Sequence, residues 1–121
     1  MAEERLRLTP HFAAVGVLAI EAEGVIDAAT APLVCEPLLS LSNTGLRHFV
    51  IDLRKVREID GPGLRQLTEA RSRIRARGGS LALTGGAMVP GALAAQGISR
   101  KGFVYATVAE AAEAVAPVAP S

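Results

Sequence analysis

The chain has 121 residues, 50% of them apolar and 21% charged, enough for one domain with a sizeable core, and three Phe, one Tyr and no Trp make that core aliphatic. Thirteen basic against twelve acidic residues leave a formal charge of +1, which excludes a global field drawing the protein to nucleic acid or to an anionic membrane. A lone cysteine, Cys35, excludes an intramolecular disulfide and fits a reducing compartment. No stretch reaches the roughly 20 apolar residues of a membrane span, and the acidic start Met-Ala-Glu-Glu-Arg lacks a signal-peptide core, so no membrane insertion and a cytoplasmic location are expected.

In chain order, residues 5–8 alternate charged and apolar, the pattern of a short edge strand that Pro10 should interrupt. Residues 15–21 form a denser apolar strand pairing antiparallel with it, through a loop at 11–14 that holds His11. Asp27 or Thr30 can cap the helix that follows, with Leu33, Val34, Leu38 and Leu41 as apolar contacts and a kink or early break at Pro37. Ser42-Asn43-Thr44-Gly45 is a turn cluster. Residues 49–53 are too short and too β-branched for a buried helix, so they read as a strand covered on both faces, followed by a polar bend.

The bend closes on Asp60-Gly61-Pro62-Gly63. Proline suits the first helical position, which makes Gly61 the N-cap and Asp60 the residue before the helix. Leu64, Leu67, Ala70 and Ile74 then share a core face, while Arg65, Glu69, Arg73 and Ala76 point outwards. Gly78-Gly79 ends the helix, with Arg75 and Arg77 at its negative dipole end. Residues 81–83 return as a parallel strand by a crossover expected to be right-handed. A short helix over 89–96 stops at Gly97, a last strand falls within 103–106, and Thr107 caps a final helix over 108–115 with Glu110 and Glu113 on its wet side. Residues 116–121 read as a frayed tail on a single domain whose core spans about 6–115.

These residues carry a resemblance to the STAS domain family, the module of anti-sigma-factor antagonists and of sulfate-transporter tails. Gly24-Val25-Ile26-Asp27 with Thr30 resembles the family's turn opening the first helix. The strand Phe49-Val50-Ile51-Asp52-Leu53, followed by Ile59-Asp60-x-x-Gly63-Leu64, resembles its strand and Asp-Ser-Ser-Gly-Leu loop. Arg77-Gly78-Gly79 and Leu81-Ala82-Leu83 resemble the end of the second helix and the next strand. The implied fold is α/β and STAS-like: a mixed sheet of about four or five strands with helices largely on one face.

The resemblance implies a non-catalytic regulator, an anti-sigma-factor antagonist that binds an anti-sigma factor, commonly a serine kinase, and so frees a sigma factor for transcription. The implied partner-binding surface is Asp27, Thr30, Asp60, Gly61, Pro62, Gly63, Leu64 and Arg65, presented by a monomer or weak dimer. In regulated members the serine directly after the loop aspartate is phosphorylated by the partner. Here Gly61 and Pro62 stand in that place and neither carries a hydroxyl. A switch adding about −1.5 to −2 charge beside Asp60 therefore cannot operate at Gly61, and any surviving switch falls to another hydroxyl such as Thr30, Thr68 or Ser72. The alternative role is an accessory subunit of a membrane transport complex of the ABC type.

Each of these residues also has a plainer use. Asp60 is as well explained by the positive end of its own helix, an effect of roughly 0.3 to 1 kcal/mol, and Asp27 and Thr30 by capping. Gly61-Pro62-Gly63-Leu64-Arg65-Gln66 falls short of a dinucleotide fingerprint, because Gln66 replaces the third glycine and Thr84 ends the next strand where an acidic residue would hold a ribose; a nucleotide-binding enzyme is the least favoured reading. Arg54, Lys55, Arg57, Arg65, Arg71, Arg73, Arg75 and Arg77 spread around a helix, diluted by Glu58, Asp60 and Glu69 and without stacking aromatics, and read as a solvated face more than a nucleic-acid site. His11, His48 and Cys35 form no catalytic constellation, and no ligand spacing points to a metal or another cofactor.

Overall fold

The computed structural model describes residues 5–86 and 89–116; of the expected tail, residues 117–121 lie outside the described residues. Five strands, β1 (Leu6–Ala14), β2 (Val17–Ile26), β3 (His48–Ile59), β4 (Ser80–Thr84) and β5 (Val104–Tyr105), form one mixed sheet in the order β1-β2-β3-β4-β5. β1 and β2 are antiparallel and every other neighbouring pair is parallel. Four helices, α1 (Ala31–Ser42), α2 (Gly61–Ala76), α3 (Val89–Ala95) and α4 (Val108–Val115), complete it.

The larger core joins one sheet face to α1, α2 and α3: Phe49, Ile51 and Leu53 from β3 meet Val34 and Leu38 of α1, Leu64, Leu67 and Ile74 of α2, and Leu93 of α3. The other face carries Val17, Ala19, Val50 and Ala82, covered by Ala111, Ala112 and Val115 of α4. Strand alternation separates the two sets, since Phe49, Ile51 and Leu53 point one way and Val50 the other. Three helices on one face and one on the other match the expected STAS-like arrangement.

Several elements differ from the reading of the sequence. β1 runs through Pro10 to Ala14, so the turn falls at Val15-Gly16 and His11 lies in the strand opposite Ala19. Proline is tolerated there for a geometric reason. Val25 N–H donates to Arg5 C=O (2.8 Å), so Arg5 and Val25 form a hydrogen-bonded pair; by alternation Arg7, Thr9 and His11 turn their bonds to β2, and the Pro10 nitrogen faces the open edge. α1 continues unbroken through Pro37, because Pro37 and Leu33, whose carbonyl it leaves without a donor, are both exposed to water while Val34, Cys35 and Leu38 hold the helix down. Leu33 therefore contributes no core contact and is 54% exposed. The bend expected after residue 53 is strand: β2 runs as far as β3 and pairs Gly24 with Val56 and Ile26 with Ile59, across irregularities that accommodate the charged residues between.

Candidate functional site

The β2–α1 connection is built around Asp27. Its Oδ1 accepts from the N–H groups of Ala29 and Thr30, each at 2.9 Å, and its Oδ2 accepts from Arg5 Nη2. Bonding to the Thr30 amide, opposed by partial burial and assisted by Arg5 and Ala29, holds the Asp27 carboxyl below its ordinary range. Thr30 works from inside: its hydroxyl donates to Val25 C=O at 2.7 Å and accepts from Asp27 N–H at 2.9 Å, and the residue is buried. Thr30 occupies the N-cap position of α1, yet its side chain makes no capping bond because the hydroxyl is engaged with β2. Asp27 carries the carboxylate of this turn, and Ala28 and Ala29 stand exposed at its tip.

At the neighbouring corner, Asp60 rather than Gly61 is the N-cap of α2. Asp60 has extended backbone (φ −99°, ψ 173°), its Oδ1 accepts from Gly63 N–H at 2.7 Å, and its C=O accepts from Leu64 N–H at 3.0 Å. A side-chain acceptor satisfies the orphan amides better than glycine can, which moves the cap back one residue and puts Pro62 second in the helix. The Asp60 N–H donates to Ile26 C=O (3.1 Å), Gln66 Nε2 to Ala28 C=O (3.1 Å) and Gln96 Nε2 to Gly61 C=O (2.7 Å). The corner is thus tied to β2, to the β2–α1 tip and to the end of α3. Gly63 is the close-packing point, since a Cβ there would stand 2.7 Å from Ile26 O and 2.9 Å from Asp27 Cα.

Asp60, Gly61, Pro62 and Arg65 are exposed, Asp27 is partly so, and Thr30, Gly63 and Leu64 are buried beneath them. The eight residues named from the sequence therefore divide into a surface and its support. Of the remaining hydroxyls, Thr68 is half-buried and donates to Leu64 C=O at 3.0 Å, while Ser72 is exposed on α2. The mouth of α2 is poorly suited to a phosphate, because the Gly63 amide is taken by Asp60 and the Asp60 carboxylate occupies the space. Among the described residues no group of three or more His, Cys, Asp or Glu could hold a metal ion, and no helix is long and apolar enough to cross a membrane.

The sequence places Asp52 within a strand and gives it no role of its own. It is buried, with Arg54 Nη2 at 2.7 Å, Arg54 Nε at 3.0 Å and Thr84 Oγ1 at 3.3 Å from its carboxylate. Burial pushes the carboxyl up, but the bonds from Arg54 and Thr84 outweigh it and leave it below its ordinary value. The available signal was an acid inside an apolar run with an arginine two residues on, which a strand places on the same face. Gln66 and Gln96 gave no such signal, since their partners are backbone carbonyls distant in sequence.

A family model for the STAS domain matches residues 13–111 of the chain. No curated protein matches it. Among solved structures, an anti-sigma factor antagonist from Mycobacterium paratuberculosis superposes with a TM-score of 0.75 at 23% identity, over 91% of this chain and 93% of that one. A proposed anti-sigma factor antagonist from Thermotoga maritima gives 0.77 at 22% identity, over 89% and 93%. A sulfate transporter family protein from Wolinella succinogenes gives 0.71 at 25% identity, over 86% and 88%.

Proposed function

Because the chain belongs to the STAS domain family, we propose that it is a non-catalytic binding module of the anti-sigma-factor-antagonist type, docking an anti-sigma factor through the corner formed by Asp27, Asp60, Gly61, Pro62 and Arg65. The observation that carries this reading is the exposure of Asp60, Gly61 and Pro62 on a corner immobilised from three directions by Ile26, Gln66 and Gln96. A rigid, exposed turn loses little conformational freedom on association. Its carboxylates and Arg65 supply the charges that would select a partner's surface. Gly61 offers no oxygen for phosphate, so a serine-kinase partner would be held without being able to end the complex at this position.

Titration calorimetry against the anti-sigma kinases of the host tests the proposal, with wild type beside Asp60→Arg. A complex with one of them, lost on charge reversal, is expected. Failure to bind any of them, or equal binding by Asp60→Arg with an unchanged fold, defeats it.

A second reading is an accessory subunit of an ABC-type transport complex, and the likeness to the Wolinella succinogenes sulfate transporter family protein supports its coarser part, a role in membrane transport. It predicts co-sedimentation with host membrane vesicles that is abolished when the vesicles are stripped of their peripheral and integral proteins.

A further inference from the structure

At the end of α2 remote from Asp60, a second feature has no part in the docking corner. β5 is two residues long and pairs only with Leu83 and Thr84, so among the described residues the start of β4 has no outer neighbour. Ser80 N–H donates inwards to Arg47 C=O (2.9 Å) and Leu83 N–H outwards to Phe103 C=O (2.7 Å). Alternation along the strand therefore turns the N–H and C=O of Leu81 towards the outer edge, below the reach of β5. The notch there has a volume of about 350 Å³ and is lined by Arg71, Arg75, Ser80, Leu81, Lys101 and Tyr105 among others.

Its charge is one-sided. Arg71 and Arg75 stand one turn apart on α2, a like-charge spacing that is unfavourable in itself, and Lys101 joins them from the loop before β5. Among the described residues no carboxylate is in salt-bridge contact with any of the three. Glu110 and Glu113 line a neighbouring depression that shares Tyr105 with the notch. Arg71 is held in place, with its guanidinium 4.3 Å from the centre of the Phe103 ring and Nη2 3.3 Å from Gly102 C=O. Burial and the nearby Arg75 both work against its charge. Attraction to the helix dipole accounts for a basic residue in the last turn, such as Arg75. It does not account for Arg71, anchored on an aromatic ring and facing a cavity with two further cations.

We propose that this notch binds a small anion bearing more than one phosphate group, received by Arg71, Arg75, Lys101 and the Leu81 amide. Such a ligand relieves the mutual repulsion of the cations and gives the Leu81 N–H an acceptor. The volume falls in the range of small-molecule sites. An added peptide strand is the less suitable occupant, because among the described residues the stretch of β4 below β5 turns only Leu81 outwards and β5 closes the edge beyond it.

The test is an amide-resolved NMR titration of the whole chain with inorganic pyrophosphate at low ionic strength. Saturable shifts at Leu81, Lys101 and Gly102 are expected, with affinity about tenfold weaker or worse in Arg75→Gln and in Arg71→Gln, the loss expected for a charge-assisted bond. Arg73→Gln, on the same helix but outside the notch, should bind as wild type does. Arg75 is exposed, so its variant keeps the test valid if Arg71→Gln disturbs the fold. Absent binding, shifts scattered over the other arginines, or equal weakening by Arg73→Gln would overturn the proposal. So would a polyglutamate peptide binding the same amides more tightly than pyrophosphate, which would assign the notch to an acidic protein segment.

Discussion

Two glycines two residues apart should respond unequally to the same added methyl group, one with a loss of stability and the other with none. A Cβ at Gly63 would stand 2.7 Å from Ile26 O, 2.9 Å from Ile26 C and 2.9 Å from Asp27 Cα, all of them main-chain atoms of β2 and its exit. None can rotate away, so the mouth of α2 must move off β2. Overpacking of this kind costs about 1 to 3 kcal/mol, while replacing a helical glycine by alanine returns up to about 1 kcal/mol. The net expectation for Gly63→Ala is a loss of about 1 to 2 kcal/mol, which at a urea m-value near 2 kcal/mol/M lowers the midpoint by roughly 0.5 to 1 M. At Gly61 the only neighbour within reach among the described residues is Gln96 Nε2 at 3.2 Å, the far end of a flexible side chain. Gly61→Ala should therefore be neutral, within about 0.5 kcal/mol. Urea melts of the two variants beside wild type decide the matter. If Gly63→Ala unfolds at the same urea concentration as Gly61→Ala, the close approach of α2 to β2 is not what fixes the corner.

Gly61→Ser should fold as wild type does, for the same reason, and should restore a phosphoacceptor: incubated with a partner kinase and ATP, it should gain one phosphate by mass spectrometry at position 61. Stable complex formation without that phosphate would argue that the corner does not enter the kinase's catalytic site. Asp52→Asn should lower stability at neutral pH by about 1 kcal/mol, less than the roughly 1.5 to 3 kcal/mol of a shielded charged hydrogen bond because Arg54 lies in screening solvent. The folded carboxyl lies below the ordinary aspartate value of 3.8, so its contribution is complete above that pH and disappears as the pH falls through the lower folded value. The gap between variant and wild type in urea midpoint should hold from pH 7 to 5 and close below 3.8; a gap that persists in stronger acid refutes the ion pair. Cys35, with its thiol pushed up to about 11 by burial and by Glu36 and Glu69, should react with a disulfide reagent at pH 8 at least tenfold more slowly in the folded protein than in urea. Equal rates would show that burial of Cys35 on the inner side of α1 does not shield it.

What could be read from the sequence depended on whether a residue's neighbours were close in the chain. The core face of α2, Leu64, Leu67, Ala70 and Ile74, follows from helical spacing alone and is buried as expected. Thr107 begins α4 with its hydroxyl accepting from Glu110 N–H, another contact within one turn. Tertiary pairing decided the remainder. Charged residues between 54 and 58 look like a bend until β2 is there to pair with them, and Pro37 looks like a break until the exposure of Leu33 and Pro37 is known. The division of the corner into exposed Asp60, Gly61 and Pro62 over buried Thr30, Gly63 and Leu64 needed the packing of α2 on β2. The notch beside β4 was invisible for a similar reason: its arginines were seen as one scattered row, and only the shortness of β5 gathers two of them around a vacant ladder position.

The outward-facing nitrogen of Pro10 bears on the company this protein keeps in a crowded solution. β1 forms one border of the sheet, and a border strand nine residues long invites another chain to zip alongside. An imide nitrogen in the middle of that border has no hydrogen to give, and its ring obstructs an approaching backbone. One residue thus divides a long adhesive margin into two short ones, neither able to seat a full strand. Replacing it with valine would supply the missing donor and join the two margins into one, an outcome that sedimentation would read as increased self-association.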